Sequence, residues 1–427
     1  MRHVTIAVLT AGALAGCASS EPEPRADGSA QASPGVASAG PRADLLTHEE
    51  YAQQAAKLVH PIMTRTRPRA DAPHARGRRN AYRQVNLVAN RPEFNPTVMV
   101  DPLLLDGWGI TIRPAGEGGH FWITNAGSGT TTTYVGDVSG VPLYQDELKV
   151  VTIPTSRLFY PHPDKESQPT GQVYTGHSLT DFVVSGEGIT GPSKFVFVTM
   201  DGNVSGWTTG QTAAVAMFDH SVEASMFTGC AVTDYPSGNR LFIADMGLES
   251  FIVLDHEFKR VRIAGDFKHP EQATDTYGPY NFWYHAGEVY TTFARIGDDP
   301  GEEDAYPGYG YLGVFDTEGR FLRAFEHRLE LNAPWGMAIA PDDFGALSGT
   351  LLVSNFGDGT IVAFDRDTGR YIDYVRDEQG APIMIDGIWG VLFGNGVRLG
   401  RTNHLYFAAG PNLEQDGVFG KLEPLDP

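Results

Sequence analysis

Near its C-terminal end the chain carries nearly the same segment twice. Asn332-Ala-Pro-Trp335-Gly336-Met-Ala-Ile leads to Leu351-Leu-Val-Ser-Asn355-Phe-Gly-Asp358-Gly-Thr-Ile. Asp386-Gly-Ile-Trp389-Gly390-Val-Leu-Phe leads to Leu405-Tyr-Phe-Ala-Ala409-Gly and then Gly417-Val-Phe-Gly420. The Trp stands equally far before the end of the second apolar run in both copies, Trp335 before Asn355 and Trp389 before Ala409. A repeated supersecondary unit constrains architecture before any other argument. Short apolar runs separated by Gly, Pro and Asp turns are strands of antiparallel sheet, not helices.

Four more units precede these two. They open at Asp106-Gly-Trp108-Gly109, Pro169-Thr-Gly171, Phe227-Thr-Gly229-Cys230 and Pro279-Tyr280-Asn281, and each leads to a second apolar run. Six units predict an all-β, six-bladed β-propeller over residues 85–422. The chain after Gly420 is too short for a seventh blade, whereas Val85-Asn-Leu-Val-Ala89 can complete the last blade and close the ring. Closure matters because it removes the exposed edges of an open sheet. A β-sandwich or two smaller β domains is the competing arrangement.

The N-terminus carries an address. Met1-Arg2-His3, an apolar run from Val4 to Ala13 and Leu14-Ala15-Gly16-Cys17 describe a signal peptide over residues 1–16. The Leu-Ala-Gly-Cys order resembles a bacterial lipobox, which makes Cys17 the expected lipidation site and the membrane a partner through that lipid. Ala18 after it favours the outer membrane. Residues 17–44, rich in Ser, Ala, Gly, Pro and Glu, have the composition of a disordered tether. Residues 45–84 hold a short helical pattern from Leu45 to Val59, then seven Arg and no Lys between Arg65 and Arg83. That run suits a solvated linker or anionic headgroups.

Formal net charge is −20, so the expected propeller lacks the basic face that nucleic-acid binding requires. With Cys17 lipidated, Cys230 stands alone and reads as a small core residue in an apolar run. A monomer is expected.

Across about residues 85–422 the motifs resemble an uncharacterised family of exported bacterial propellers, related to NHL-repeat proteins and often carrying a PEP-CTERM sorting tail. The likeness rests on Asn332-Ala-Pro-Trp-Gly-Met-Ala-Ile-Ala-Pro, Asn355-Phe-Gly-Asp-Gly-Thr-Ile and Asp386-Gly-Ile-Trp-Gly-Val-Leu-Phe-Gly-Asn. Asp201-Gly-Asn-Val-Ser-Gly-Trp207 adds to it. A lipobox replaces the sorting tail here, which changes the anchor and not the compartment. The resemblance implies fold and address, and no activity.

Chemistry is expected where loops meet at the channel mouth. Residues just before the inner strands include Asp106, Asn281, Asn332 and Asp386, and two Asp with two Asn suit a hard cation such as Ca²⁺. By position in the repeat this is similar to gluconolactonase-type propellers, which implies metal-assisted hydrolysis or elimination on lactone-like or glycan-derived substrates. Turn capping explains the same residues without a metal. Asn355-Phe-Gly-Asp-Gly reads as a type I′ hairpin turn. In the fourth unit, Gly297-Asp-Asp-Pro-Gly-Glu-Glu-Asp304 precedes Tyr306 and Tyr309 and follows Tyr280 and Trp283. Aromatic rings beside carboxylates suit a carbohydrate or aromatic ligand. The histidines show no zinc spacing, and no nucleophile elbow, phosphate loop, haem or copper signature is present. A surface-displayed ligand-binding propeller is therefore the leading expectation, with the Ca²⁺-assisted hydrolase or lyase as its alternative.

Overall fold

The computed structural model describes residues 78–156, 167–270, 276–298, 301–326 and 329–425. The signal peptide, Cys17, the tether, the 45–59 helix and most of the Arg run lie outside the described residues. Among the described residues no helix is long and apolar enough to cross a membrane.

Six antiparallel sheets follow one another along the chain and form the six blades of a propeller. Their innermost strands are Gly107–Thr111, Pro169–Tyr174, Phe227–Thr233, Tyr277–His285, Pro334–Ile339 and Ile388–Phe393. Each packs on the next, and the sixth packs on the first, so they line a central channel. Blade two carries an inserted hairpin, Val183–Gly186 with Ile189–Pro192. The ring closes as the repeat predicts. Tyr82–Ala89 pairs antiparallel with Val418–Pro424, from Tyr82 opposite Pro424 to Ala89 opposite Val418. The closing strand thus begins at Tyr82, earlier than its apolar residues suggest, because edge pairing is a backbone property that tolerates the exposed Arg83 and Gln84.

The Trp-Gly signature is a β-bulge. Gly107 pairs with Asn125 and Ile110 with Ile123, so Trp108 and Gly109 together oppose Thr124. Trp335-Gly336 and Trp389-Gly390 slip the register in the same way. Blades two, three and four slip at Thr170, Thr228 and Tyr280. A bulge sharpens local twist and re-aims its side chains. Here it sets three Trp and one Tyr together in one cluster, while the two Thr at the equivalent positions bond to the neighbouring inner strand.

The residue after each bulge is Gly in five blades because the inner strands nearly touch there. A Cβ at Gly336 would lie 2.4 Å from the Trp389 carbonyl oxygen, and one at Gly390 would lie 2.8 Å from that of Trp108. Blade four has Asn281 instead, and its amide donates to the Trp335 carbonyl at 3.0 Å. Hydroxyls tie other junctions at the same level. Thr170 donates to the Phe227 carbonyl at 2.6 Å, Thr228 to Tyr280 at 2.8 Å and Ser354 to Trp389 at 2.6 Å. Between the sheets, wedges of Val, Ile, Leu and Phe complete the core.

Asn355-Phe-Gly-Asp-Gly departs from the expected type I′ turn. The Asn355 amide donates to the Thr360 carbonyl and the Gly359 amide to that of Asn355, which encloses a longer loop with Gly359 at φ +76°. Asp358 selects that longer form by accepting from both the amide and the hydroxyl of Thr360.

Candidate functional site: a blind channel

At the upper end, where the inner strands begin, the channel is stoppered by aromatic rings. Trp108 stacks on Trp389 at 3.5 Å between centroids, and Phe356 stacks on the same indole at 4.0 Å. Trp335 meets both other indoles edge to face, at 6.1 and 5.8 Å. The Trp108 indole donates to Asp106 Oδ2 at 2.9 Å and that of Trp335 to the Thr228 carbonyl at 3.0 Å. The Trp389 N–H is buried without an acceptor.

Three carboxyl groups surround this stopper. Burial raises Asp106 well above the usual carboxylate range, against the opposing hydrogen bond from Trp108. Burial also raises Glu414, reinforced by the charges of Asp106 and Glu303. Glu303 is pushed up to about 7, chiefly by burial, although the Tyr280 hydroxyl donates to its Oε2 at 2.8 Å. Glu414 rides on a left-handed turn, with Asn412, Leu413 and Glu414 all at positive φ. Non-Gly residues adopt that conformation only when their surroundings enforce it.

A pH dependence follows. The fold favours the protonated form of Glu303, so the associated stability is complete below its ordinary value of 4.5 and lost as pH rises through about 7. A midpoint moved that far corresponds to roughly 3 kcal/mol. Thermal melts from pH 5 to pH 8 are expected to show a falling Tm, with a shallower fall in Glu303→Gln. Equal slopes in the two proteins would show that Glu303 is not the group responsible.

Below the stopper lies a well of about 480 Å³ that opens at the lower end of the inner strands. Ile110, Val173, Val232, Trp283, Ile339 and Phe393 supply much of its wall. Gln172 stands at its inner end among the post-bulge glycines. Its amide nitrogen donates to the carbonyls of Gly109 at 2.8 Å and Trp122 at 2.7 Å, which leaves Oε1 buried without a donor. Polar groups return toward the opening. The Tyr174 hydroxyl donates to Glu117, and this phenol is pushed up to about 12, by burial first and then by that carboxylate. His285 lies parallel to the Trp283 ring at 5.0 Å, and burial holds its imidazole below the usual range. An apolar wall with few oriented polar groups suits a small molecule of mixed character.

The four residues expected to share a cation occupy different levels. Asp106 lies two positions before its bulge residue Trp108, Asn332 and Asp386 three before Trp335 and Trp389, and Asn281 one after Tyr280. Their side chains also face different partners. Asn332 donates to Asp358, Asn281 bridges Trp335 and Phe282, and exposed Asp386 accepts from the Asn412 amide. Among the described residues no group of three or more His, Cys, Asp or Glu is arranged to hold a metal ion. Their place before each inner strand groups these four residues, and their unequal offsets from the bulge residue set them at different levels.

The aromatic candidates divide as well. Tyr280 is buried in the stopper and Trp283 lines the well. Tyr306 and Tyr309 lie together in the loop that follows, 5.3 Å apart, with the Arg295 guanidinium 4.3 Å over Tyr309. Cys230 is a buried residue of the third inner strand, as its apolar run indicates. Gln172, Glu303 and Glu414 are not singled out by motif. Glu303 is one of several acids in its loop, and Glu414 follows Ala409-Gly410 at a place only the repeat could mark.

No protein-family model matches the chain. It is similar to the uncharacterised protein R648 of Acanthamoeba polyphaga mimivirus, at 29% identity over 345 residues, 79% of this chain and 78% of that one. The uncharacterised protein L690 of the same virus is 33% identical over 210 residues, 47% of this chain and about half, 52%, of its own length. Among solved structures, a virginiamycin B lyase from Staphylococcus aureus is 10% identical with a TM-score of 0.41, covering 80% of this chain and 98% of that one.

Proposed function

We propose that the protein is a ligand-binding propeller of the cell envelope, held by a lipid on Cys17, and that its ligand occupies the blind channel. One observation carries the binding reading. The channel is closed above by packed indoles and open below as a well of about 480 Å³, a size and lining typical of small-molecule sites. The ligand class is a largely apolar molecule, since Ile110, Val173, Val232, Trp283, Ile339 and Phe393 supply much of the wall. The Leu14-Ala15-Gly16-Cys17 order supports the anchor, and the resemblance to exported propellers supports the compartment.

The test uses full-length protein purified from expressing cells. Its intact mass is expected to show a diacylglyceryl group on Cys17. Anilinonaphthalene sulfonate, a fluorescent apolar probe, is expected to brighten on binding, and Val232→Trp, which fills the well, to remove most of that signal at unchanged fold. Undiminished binding by Val232→Trp would place the probe elsewhere and sink the channel reading.

A further inference from the structure

We propose that the lower face of blades six, one and two is a docking surface for an anionic lipid bilayer, and that it presents the well to a lipid's apolar chain. This rests on the reading of the well as a ligand site and names its ligand class.

Exposed apolar side chains gather on the loops beside the opening. Val397 is 63% exposed, Val141 47% and Leu179 80%. These loops adjoin one another. The Asn395 side chain donates to the Arg113 carbonyl at 3.3 Å, Gly136 bridges to Leu399, and Leu179 follows His177, which lines the well. Apolar residues this exposed beside an apolar cavity are characteristic of an interaction surface.

Charge selects the occupant. Exposed Arg398 and Arg401 lie in the same loop as Val397, and the Arg113 guanidinium stands 6.0 Å from the ring of Tyr174, a residue of the well. Acids on this side are interspersed with these cations: Asp146 pairs with His120 and Arg398, Glu117 accepts from Tyr174, Glu187 accepts from Thr212, and Glu147 is exposed. The loops of the upper face instead bring exposed Glu223, Glu249, Glu302 and Asp386, which an anionic surface repels. The point where the described chain begins agrees. Tyr82 stacks on Phe344 at 4.5 Å, and Phe344 meets Phe393, a residue of the well, at 4.9 Å. The chain, with exposed Arg78, Arg79 and Arg83, therefore enters the propeller on the side where the well opens.

The test labels single cysteines with a polarity-sensitive fluorophore in the full-length chain. Cys17→Ser removes the lipid anchor, so that any docking comes from the propeller itself, and Cys230→Ala removes the thiol that lines the well. Leu179→Cys and Val397→Cys report the lower face, and Val222→Cys and Leu248→Cys the upper. With vesicles of phosphatidylglycerol and phosphatidylcholine, the lower-face labels are expected to shift to the blue and be quenched by nitroxide lipids, while the upper-face labels do not change. Arg398→Glu with Arg401→Glu is expected to abolish that response. A fluorescent fatty acid, added without vesicles, is expected to bind the parent chain and not Val232→Trp. Fatty-acid binding without lower-face quenching overturns the docking surface and leaves the well intact as a site. Quenching without fatty-acid binding overturns the lipid chain as the well's ligand. Equal responses from both faces overturn the proposal.

Discussion

Gly336→Ala is expected to lower the free energy of unfolding by roughly 3 kcal/mol, a large loss for one added methyl group. The Cβ would lie 2.4 Å from the Trp389 carbonyl oxygen, 2.6 Å from Ser354 Oγ and 3.0 Å from the Val391 amide nitrogen. Two of those atoms are backbone of the next inner strand and cannot rotate away. The third is the hydroxyl that ties blade five to blade six by donating to the Trp389 carbonyl. Relief requires moving one inner strand off its neighbour, and a closed ring transmits that displacement to every junction. Gly191→Ala is the matched control. It lies in a strand, in the hairpin inserted into blade two, and its nearest contact would be an ordinary 3.4 Å. Guanidinium unfolding of the two variants is the measurement, and a loss at Gly336 no larger than that at Gly191 would remove close strand approach as the reason for the glycine.

Trp389→Ala is expected to cost about 4 kcal/mol and to turn the blind well into an open passage. Trp389 is 1% exposed and stacks between Trp108 and Phe356, with Trp335 and Tyr280 against it. Four rings close on it from different sides, so they cannot all collapse into the space. Trp389→Phe keeps a ring and is expected to recover about half of the loss by area burial. Thermal melts give the stability order. Loss of the near-ultraviolet circular dichroism from the paired indoles gives the structural readout. Wild-type stability in Trp389→Ala would mean that the stopper does not hold the ring together.

The architecture was legible because it is written six times. Trp108, Trp335 and Trp389, each followed by Gly, mark the same point in three blades, and the closing strand is visible in Val85 to Ala89. The site was less legible for a physical reason. Height in the channel is set by distance from the bulge residue, and in blade four Tyr280 stands where Trp marks that point in blades one, five and six. Asp106, Asn281, Asn332 and Asp386 look equivalent in sequence and stand at three levels in space. Tyr280 and Trp283, three residues apart, face opposite ends of the channel, one in the stopper and one in the well.

Local rules determined the strands, the turns and the number of blades, because alternation, Gly and Pro placement and repetition act over a few residues at a time. Tertiary structure alone decided which end of the channel is open. Three indoles converge on the axis from blades one, five and six, and Glu303 and Glu414 arrive beside them from blades four and six. Only the ring brings these distant residues together, since the burial of the stopper and the shape of the well depend on neighbours hundreds of positions away.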